Sequence, residues 1–234
     1  MSSGSEGGVA IVTGAASGIG AEISARLSTT GHKVAGLDLH ESDTDLPLTA
    51  DVSDRQAVQD AVDRVTNELG PVSMLVTVAG YYEMIPIQEI TSETWRRMLD
   101  VHLGGTYNAC AAVLPGMLGK GGGAIVTISS ELALGGGSED AHYAAAKGAI
   151  IGFTKSLAAE VAGRGVRVNC VAPGPTDTPL LEQTSPWRDQ GFLQTLPLRR
   201  LVRPHEVAEA VLFLFEEGSF FYGQVLSPNA GAVI

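Results

Sequence analysis

The chain holds only two cysteines, Cys110 and Cys170, among its 234 residues. They lie far apart in apolar runs with no CxxC pair, which excludes a disulfide framework and argues against a metal site. Both read as buried thiols in a reducing compartment. Long hydrophobic runs are missing too: no segment approaches the ~20 apolar residues of a membrane span. The opening MSSGSEGG (1–8) lacks the basic start and apolar stretch of a secretory signal and reads as a flexible leader. A cytoplasmic protein without membrane contact is expected. Positive charge is scarce, with 15 Lys and Arg against 26 Asp and Glu, a net charge of −11. That balance argues against nucleic acid or an anionic membrane as a partner.

What is present suits one globular domain. At 44% hydrophobic and 18% charged residues, the chain is long enough to bury a sizeable core. Short β-branched runs alternate with helical patterns. VAIVT (9–13), KVAGLDL (33–39), PLTADV (47–52), VSMLVTVA (72–79), AIVTISS (124–130) and VRVNCVAP (166–173) read as strands. Helices are expected after the first strand to Thr30, over 54–69 with Asp51 or Ser53 as cap, continuously from about Ser92 to Leu118, and around Tyr143. The alternation predicts an α/β fold: a single-domain, doubly wound parallel sheet over 9–234, with helices on both faces.

Two constellations carry chemistry. The turn TGAASGIG (13–20) follows a strand and opens a helix, where Gly14 permits a tight turn, Gly18 close approach of a ligand, and Gly20 close helix–strand packing. Amides at the start of that helix suit an anion such as pyrophosphate. Asp38 follows about 20 residues later at a strand end, where a carboxylate binds the hydroxyls of an adenosine ribose and repels a 2′-phosphate. Ser17 and Leu39 offer no cation for such a phosphate, so NAD is favoured over NADP. The second constellation is Tyr143 and Lys147, four apart in an Ala-rich helical run and so on one face. A cation ~4 Å from the phenol is worth about 4 kcal/mol at an effective dielectric of ~20, enough to lower its pKa by up to about three pH units. Tyr143 then becomes a proton donor or acceptor near neutrality, and Ser130 can hydrogen-bond the developing alkoxide. Taken singly, each of these residues is an ordinary helix or turn residue; their combination is not.

TGAASGIG, the SS of ISS, YAAAK and PGPTDT (173–178) together resemble the short-chain dehydrogenase/reductase family over nearly the whole chain. Ser130 lies 13 residues before Tyr143, and Lys147 four after it, as that family requires. The resemblance implies an NAD(H)-dependent oxidoreductase of secondary alcohols and ketones, with Tyr143 as acid/base, Ser130 orienting the substrate oxygen and Lys147 on the nicotinamide ribose. It implies that Thr13, Gly14, Ser17, Gly18, Ile19 and Gly20 line the cofactor, with Asp38 on the ribose and Asp51 and Val52 at adenine. Ala79, Gly80, Pro173, Gly174, Thr176 and Thr178 complete that set, and a homotetramer is the implied assembly. Two positions depart from the family pattern. Thr77-Val78-Ala79-Gly80 replaces Asn-Asn-Ala-Gly, and His102 stands where an Asn completes the proton relay.

Substrate contacts are expected from Tyr81, Tyr82, Met84, Glu131, Leu132 and a lid over 179–198 carrying Trp187 and Phe192. With no basic cluster among them, a medium-sized neutral, partly apolar or cyclic substrate is expected. His142 should point about 100° away from Tyr143, into solvent. Two other functions fit part of the pattern. A 3-oxoacyl thioester reductase needs a basic patch for an acidic carrier, for which Lys120, Arg164 and Arg167 are the candidates. A non-catalytic NAD(H)-binding protein is suggested only by the two departures.

Overall fold

The computed structural model describes residues 7–234, so most of the expected leader lies outside the described residues. Seven strands pair in parallel throughout: β1 (Val9–Thr13), β2 (Lys33–Asp38), β3 (Leu46–Thr49), β4 (Val72–Thr77), β5 (Gly123–Ile128), β6 (Val166–Val171) and β7 (Val225–Leu226). Their order is β3-β2-β1-β4-β5-β6-β7. Every residue of β1 is buried, which is why these runs are continuously apolar rather than alternating. Winding reverses between β1 and β4, and a crevice opens beyond their carboxyl ends.

Helices cover both faces: α1 (Gly18–Thr29), α2 (Arg55–Glu68), α3 (Ser92–Leu99), α4 (Gly105–Lys120), α5 (Leu132–Gly135), α6 (Ala141–Val161), α7 (Gln190–Thr195) and α8 (Pro204–Glu216). Side chains alternate across the sheet. Val9 and Ile11 join α2, α4 and α6 through Val58, Val62, Val113, Met117 and Leu157. Ala10 and Val12 face α1 and α8 through Ile23, Leu27, Val207 and Val211. Truncating a fully buried member such as Ile11 to Ala would cost roughly 2–5 kcal/mol.

Three expectations change. The helix expected from Ser92 to Leu118 runs to Lys120, but Asp100–Gly104 form a π-helical turn between α3 and α4. Helix α2 is capped by Asp54, whose side chain accepts from the amides of Gln56 and Ala57, and not by Asp51 or Ser53. Asp51 instead accepts from the amide and hydroxyl of Ser53. Strands β3, β4, β5 and β6 stop short of the expected 52, 79, 130 and 173, because their last residues turn outward to wall the crevice.

Candidate active site

The glycine turn closes tightly. The Gly14 amide donates to the Leu37 carbonyl at 2.7 Å, and Gly14 and Gly18 take the left-handed region with φ of 69° and 55°. A Cβ on Gly14 would sit 2.9 Å from the Ala79 backbone, and one on Gly20 only 2.0 Å from the Gly14 carbonyl oxygen. Side chains are therefore excluded where the turn meets α1 and β4. Ser17 precedes α1 in extended backbone without a capping side-chain bond, so the first amides of α1 keep their donors free toward the crevice. Asp38, ending β2, accepts from Ala16 N at 3.0 Å and from His40 N at 3.0 Å, which fixes its carboxylate at the crevice rim. An open anion cradle, a ribose-ready carboxylate and a glycine floor are what a dinucleotide requires.

The crevice has a volume of about 470 Å³. Its walls bring together Gly14, Ser17, Gly18, Ile19, Gly20, Asp38, Asp51, Val52, Ala79, Gly80, Ser130, Tyr143, Lys147, Pro173, Gly174, Thr176 and Thr178. Two expected site residues lie behind the wall. Thr13 is buried and braces β1 to β4, its hydroxyl accepting from the amides of Val78 and Ala79 at 3.0 and 3.1 Å. It thus ties in the segment where the family's second Asn is replaced by Val78. His102 sits in the π turn behind Gly80, where a Cβ on that glycine would lie 2.3 Å from the imidazole.

The reacting wall is dry and crowded. Tyr143 is buried on α6, with the Tyr82 ring edge-on at 5.0 Å and the His102 ring edge-on at 5.5 Å. Burial, then the nearby Glu131 and Asp140, raise its phenol above the ordinary value, with the Ser130 hydroxyl pulling the other way. This corrects the expectation that Lys147 lowers it. Lys147 Nζ is 5.7 Å from the ring centroid and donates to the Ile128 carbonyl at 3.0 Å. Burial lowers its own pKa to about 8, which still leaves the amine mostly charged at neutral pH. Ser130 donates to Glu131 Oε2 at 2.8 Å, and burial raises the Glu131 carboxyl to about 7.

His102 is neutral. Burial, then the charge of Lys147, hold its pKa well below 6.5. Nε2 lies 2.9 Å from the Tyr81 carbonyl and 3.3 Å from the Tyr81 amide; the tautomer that donates to the nearer carbonyl leaves Nδ1 as a buried acceptor without a partner among the described residues. His142, expected in solvent, is 1% exposed. The helix does turn it away from Tyr143, but toward the molecule's interior, and neither ring nitrogen has a partner among the described residues.

Tyr81, Tyr82, Glu131, Leu132 and Trp187 line the crevice as expected; Met84 and Phe192 do not. Trp187 Nε1 donates to Tyr82 Oη at 2.8 Å, and Tyr82 Oη donates to Asp140 Oδ1 at 2.7 Å, joining the 179–198 segment to the reacting wall. Leu180, within the expected 179–198 segment, lines the crevice too, whereas sequence reasoning missed His40, Arg97 and Val101. The four-residue spacing of Arg97 and Val101 on one helix face was the available signal for that pair. Asp140 was also missed; an Asp directly before an Ala-rich helical run marks a helix start, not a site residue.

A doubly wound nucleotide-binding crevice carrying a Ser–Tyr–Lys set defines a nicotinamide-dependent oxidoreductase class. Residues 8–189 match the family described as short chain dehydrogenase. The chain is 34% identical to a 3-oxoacyl-acyl-carrier-protein reductase of Thermotoga maritima, with 98% of this chain and 99% of that one covered. It is 36% identical to a D-threitol dehydrogenase of Mycolicibacterium smegmatis, covering 92% and 88%. A ligand-free aldohexose dehydrogenase of Thermoplasma acidophilum superposes with a TM-score of 0.90 at 34% identity, covering 97% and 94%. The chain belongs to the short-chain dehydrogenase/reductase family and is an oxidoreductase.

Among the described residues no helix is long and apolar enough to cross a membrane, and no group of three or more His, Cys, Asp or Glu side chains could hold a metal ion.

Proposed function

We propose that the protein interconverts a medium-sized neutral secondary alcohol and its ketone, with NAD(H) as cofactor. The observation that carries this reading is the meeting of Ser130, Tyr143 and Lys147 in the same crevice as the open α1 amides and Asp38. When bound, a nicotinamide dinucleotide accepts or supplies the hydride. Asp38 would hold the adenosine ribose, its charge excluding a 2′-phosphate; Asp51 and Val52 would flank adenine. Gly14, Gly18, Ile19 and Gly20 would receive the pyrophosphate, with Thr13 bracing the floor. Ala79, Gly80, Pro173, Gly174, Thr176 and Thr178 would border the nicotinamide half.

Tyr143 would exchange the proton of the substrate hydroxyl. Its raised pKa keeps the phenol protonated in the free protein, which favours donation to a ketone. Taking a proton from an alcohol requires an arriving positive charge on the same wall. Ser130 would hold the substrate oxygen. Lys147 would position the ribose and, through water, meet the free acceptor of His102 Nδ1. The segment 179–198 would act as a lid, latched by Trp187 onto Tyr82. Helices α4 and α6 present small residues such as Gly116, Gly148 and Gly152, where an added Cβ meets nothing within 4 Å. Those faces suit close packing against copies of the chain in a homotetramer.

Relatives named 3-oxoacyl-acyl-carrier-protein reductase support a second reading, reduction of a carrier-bound thioester. Against it, Arg167 is not available for docking. Its guanidinium donates to the carbonyls of Leu214, Phe215 and Gly218, closing the end of α8. Exposed Lys120 and Arg164 remain on a chain of net charge −11.

Fluorescence titration with NADH and NADPH, followed by an alcohol and ketone panel read at the cofactor absorbance, tests the proposal. NADH should bind the tighter, and secondary alcohols should turn over. Equal or tighter NADPH binding would overturn the cofactor assignment, and turnover confined to thioesters would favour the second reading.

A further inference from the structure

Ser130 has a competitor for its hydroxyl. The next residue, Glu131, is 6% exposed and lines the same crevice. Its Oε2 accepts from Ser130 Oγ at 2.8 Å, while the Leu132 amide donates to that Oγ at 3.2 Å. A hydroxyl has one proton to give and two lone pairs to offer. With its proton on Glu131 and one lone pair taken by Leu132, Ser130 keeps only an acceptor site for a ligand. An acceptor is the wrong partner for a ketone oxygen, and for the negative charge that develops on it during reduction.

Protonating Glu131 reverses that bond. A carboxylic acid donates, and the second lone pair of Ser130 Oγ is free to take its proton. The Ser130 hydroxyl is then released to the substrate oxygen, and the donation from Glu131 strengthens it, because each bond in such a chain polarises the next. The surroundings put this exchange in reach of ordinary conditions. Burial raises the Glu131 carboxyl to about 7, although the Ser130 hydroxyl and the amides of Glu131 and Leu132 pull the other way. From α6 and its cap the ionisable neighbours are Asp140, His142, Tyr143 and Lys147; Tyr82 faces from the loop after β4 and His102 from the π turn. Asp140 opposes the Glu131 charge, and Lys147 is held by the Ile128 carbonyl. Glu131 and Ser130 also pull the Tyr143 phenol in opposite directions, the carboxylate upward and the hydroxyl downward.

We infer that Glu131 is a positioning residue for the reaction: as a carboxylate it holds the Ser130 hydroxyl away from the substrate, and as a neutral acid it turns that hydroxyl onto the substrate oxygen. Ketone reduction is therefore fastest on the acid side of neutrality. This rests on the alcohol–ketone reading above and adds a control to it. Tyr143 supplies the proton of the new alcohol, while Glu131 keeps its own and acts only through Ser130.

The test reads kcat/KM for ketone reduction with NADH from pH 5.5 to 8.5 in the native protein, Glu131→Gln and Glu131→Ala. The native value should fall as pH rises through about 7, standing roughly 10-fold or more below its acid plateau at pH 8, mainly through kcat. Neither variant can hold a charge at this position. Both should lose that limb, keep only one at about 8 from Lys147, and so fall about 2-fold by pH 8. Infrared titration without added cofactor gives a second readout that needs no turnover. A protonated-carboxyl band absent from Glu131→Gln should vanish with a midpoint of about 7, and at higher pH in Ser130→Ala, which loses a hydroxyl that stabilises the charge. NADH titration would verify that each variant is folded. An unshifted band in Ser130→Ala, or a limb at about 7 that survives in both Glu131 variants, would overturn the inference and leave the alcohol–ketone reading intact. Reduction of no ketone by protein that binds NADH would overturn both.

Discussion

Replacing Glu131 by Gln should stabilise the protein, and only above a particular pH. The carboxyl titrates at about 7 in the folded protein because burial and Asp140 oppose its charge, against an ordinary value of 4.5. The Ser130 hydroxyl and the amides of Glu131 and Leu132 offset only part of that penalty. The folded state thus binds the proton more tightly than the unfolded chain, so stability falls as pH rises from 4.5 to 7 and the loss is complete above 7. At about 1.4 kcal/mol per pH unit, the full gap amounts to roughly 3 kcal/mol. For a chain of this length that is a rise in melting midpoint of roughly 6–12 °C. Glutamine fills the same volume, keeps a hydrogen-bonding oxygen and does not titrate. Melting midpoints of the two proteins, followed by circular dichroism from pH 4 to 9, should therefore coincide at the acid end and separate through neutrality, glutamine uppermost. A constant gap, or one that widens on acidification, would refute the account of a buried, strained carboxylate.

Three further outcomes are expected. Tyr143→Phe should abolish turnover while keeping NADH affinity within a few-fold, because its hydroxyl acts on substrate; Lys147→Ala should damage both, as kinetics and cofactor titration would reveal. Because burial and Lys147 hold the His102 imidazole well below its usual pKa of 6.5, any limb of the pH–rate profile near neutrality belongs to Glu131 and should persist in His102→Asn. His102→Asn should retain activity and His102→Ala should slow it, whereas unchanged rates in both would remove His102 from the relay. Light scattering at micromolar concentration should give the mass of four chains, and a monomeric mass would refute the assembly drawn from α4 and α6.

The parts of the fold legible in sequence were those set by repetition. Strands β1, β2 and β4 announce themselves as apolar runs between turn residues, and the glycines mark the turn because no side chain fits at 14 and 20 and the backbone at 18 is left-handed. Tyr143 and Lys147 were legible because helical spacing alone puts them on one face. The burial of polar side chains was not legible. His142 was expected in solvent from its angle to Tyr143, but that angle says nothing of what packs against the other side of α6. The direction of the phenol's shift failed similarly: pairwise attraction was readable, while desolvation depends on every neighbour at once. The Trp187–Tyr82–Asp140 chain spans 105 and 58 residues in sequence, beyond any periodicity.

The π turn at Asp100–Gly104 has a mechanical consequence. It adds one residue to a helical circuit, and one residue is about 100° of rotation. Upstream of it, Met98 packs with Leu132, Tyr143 and Ala146; downstream, Cys110, Val113 and Met117 pack on the sheet. The turn is therefore a phase joint in a single rod, letting the end that touches the chemistry and the end that carries the scaffold be aimed separately. Lengthening or shortening the chain by one is thus least disruptive when compensated at this joint, and drift in the scaffold half need not disturb the wall that holds Tyr143.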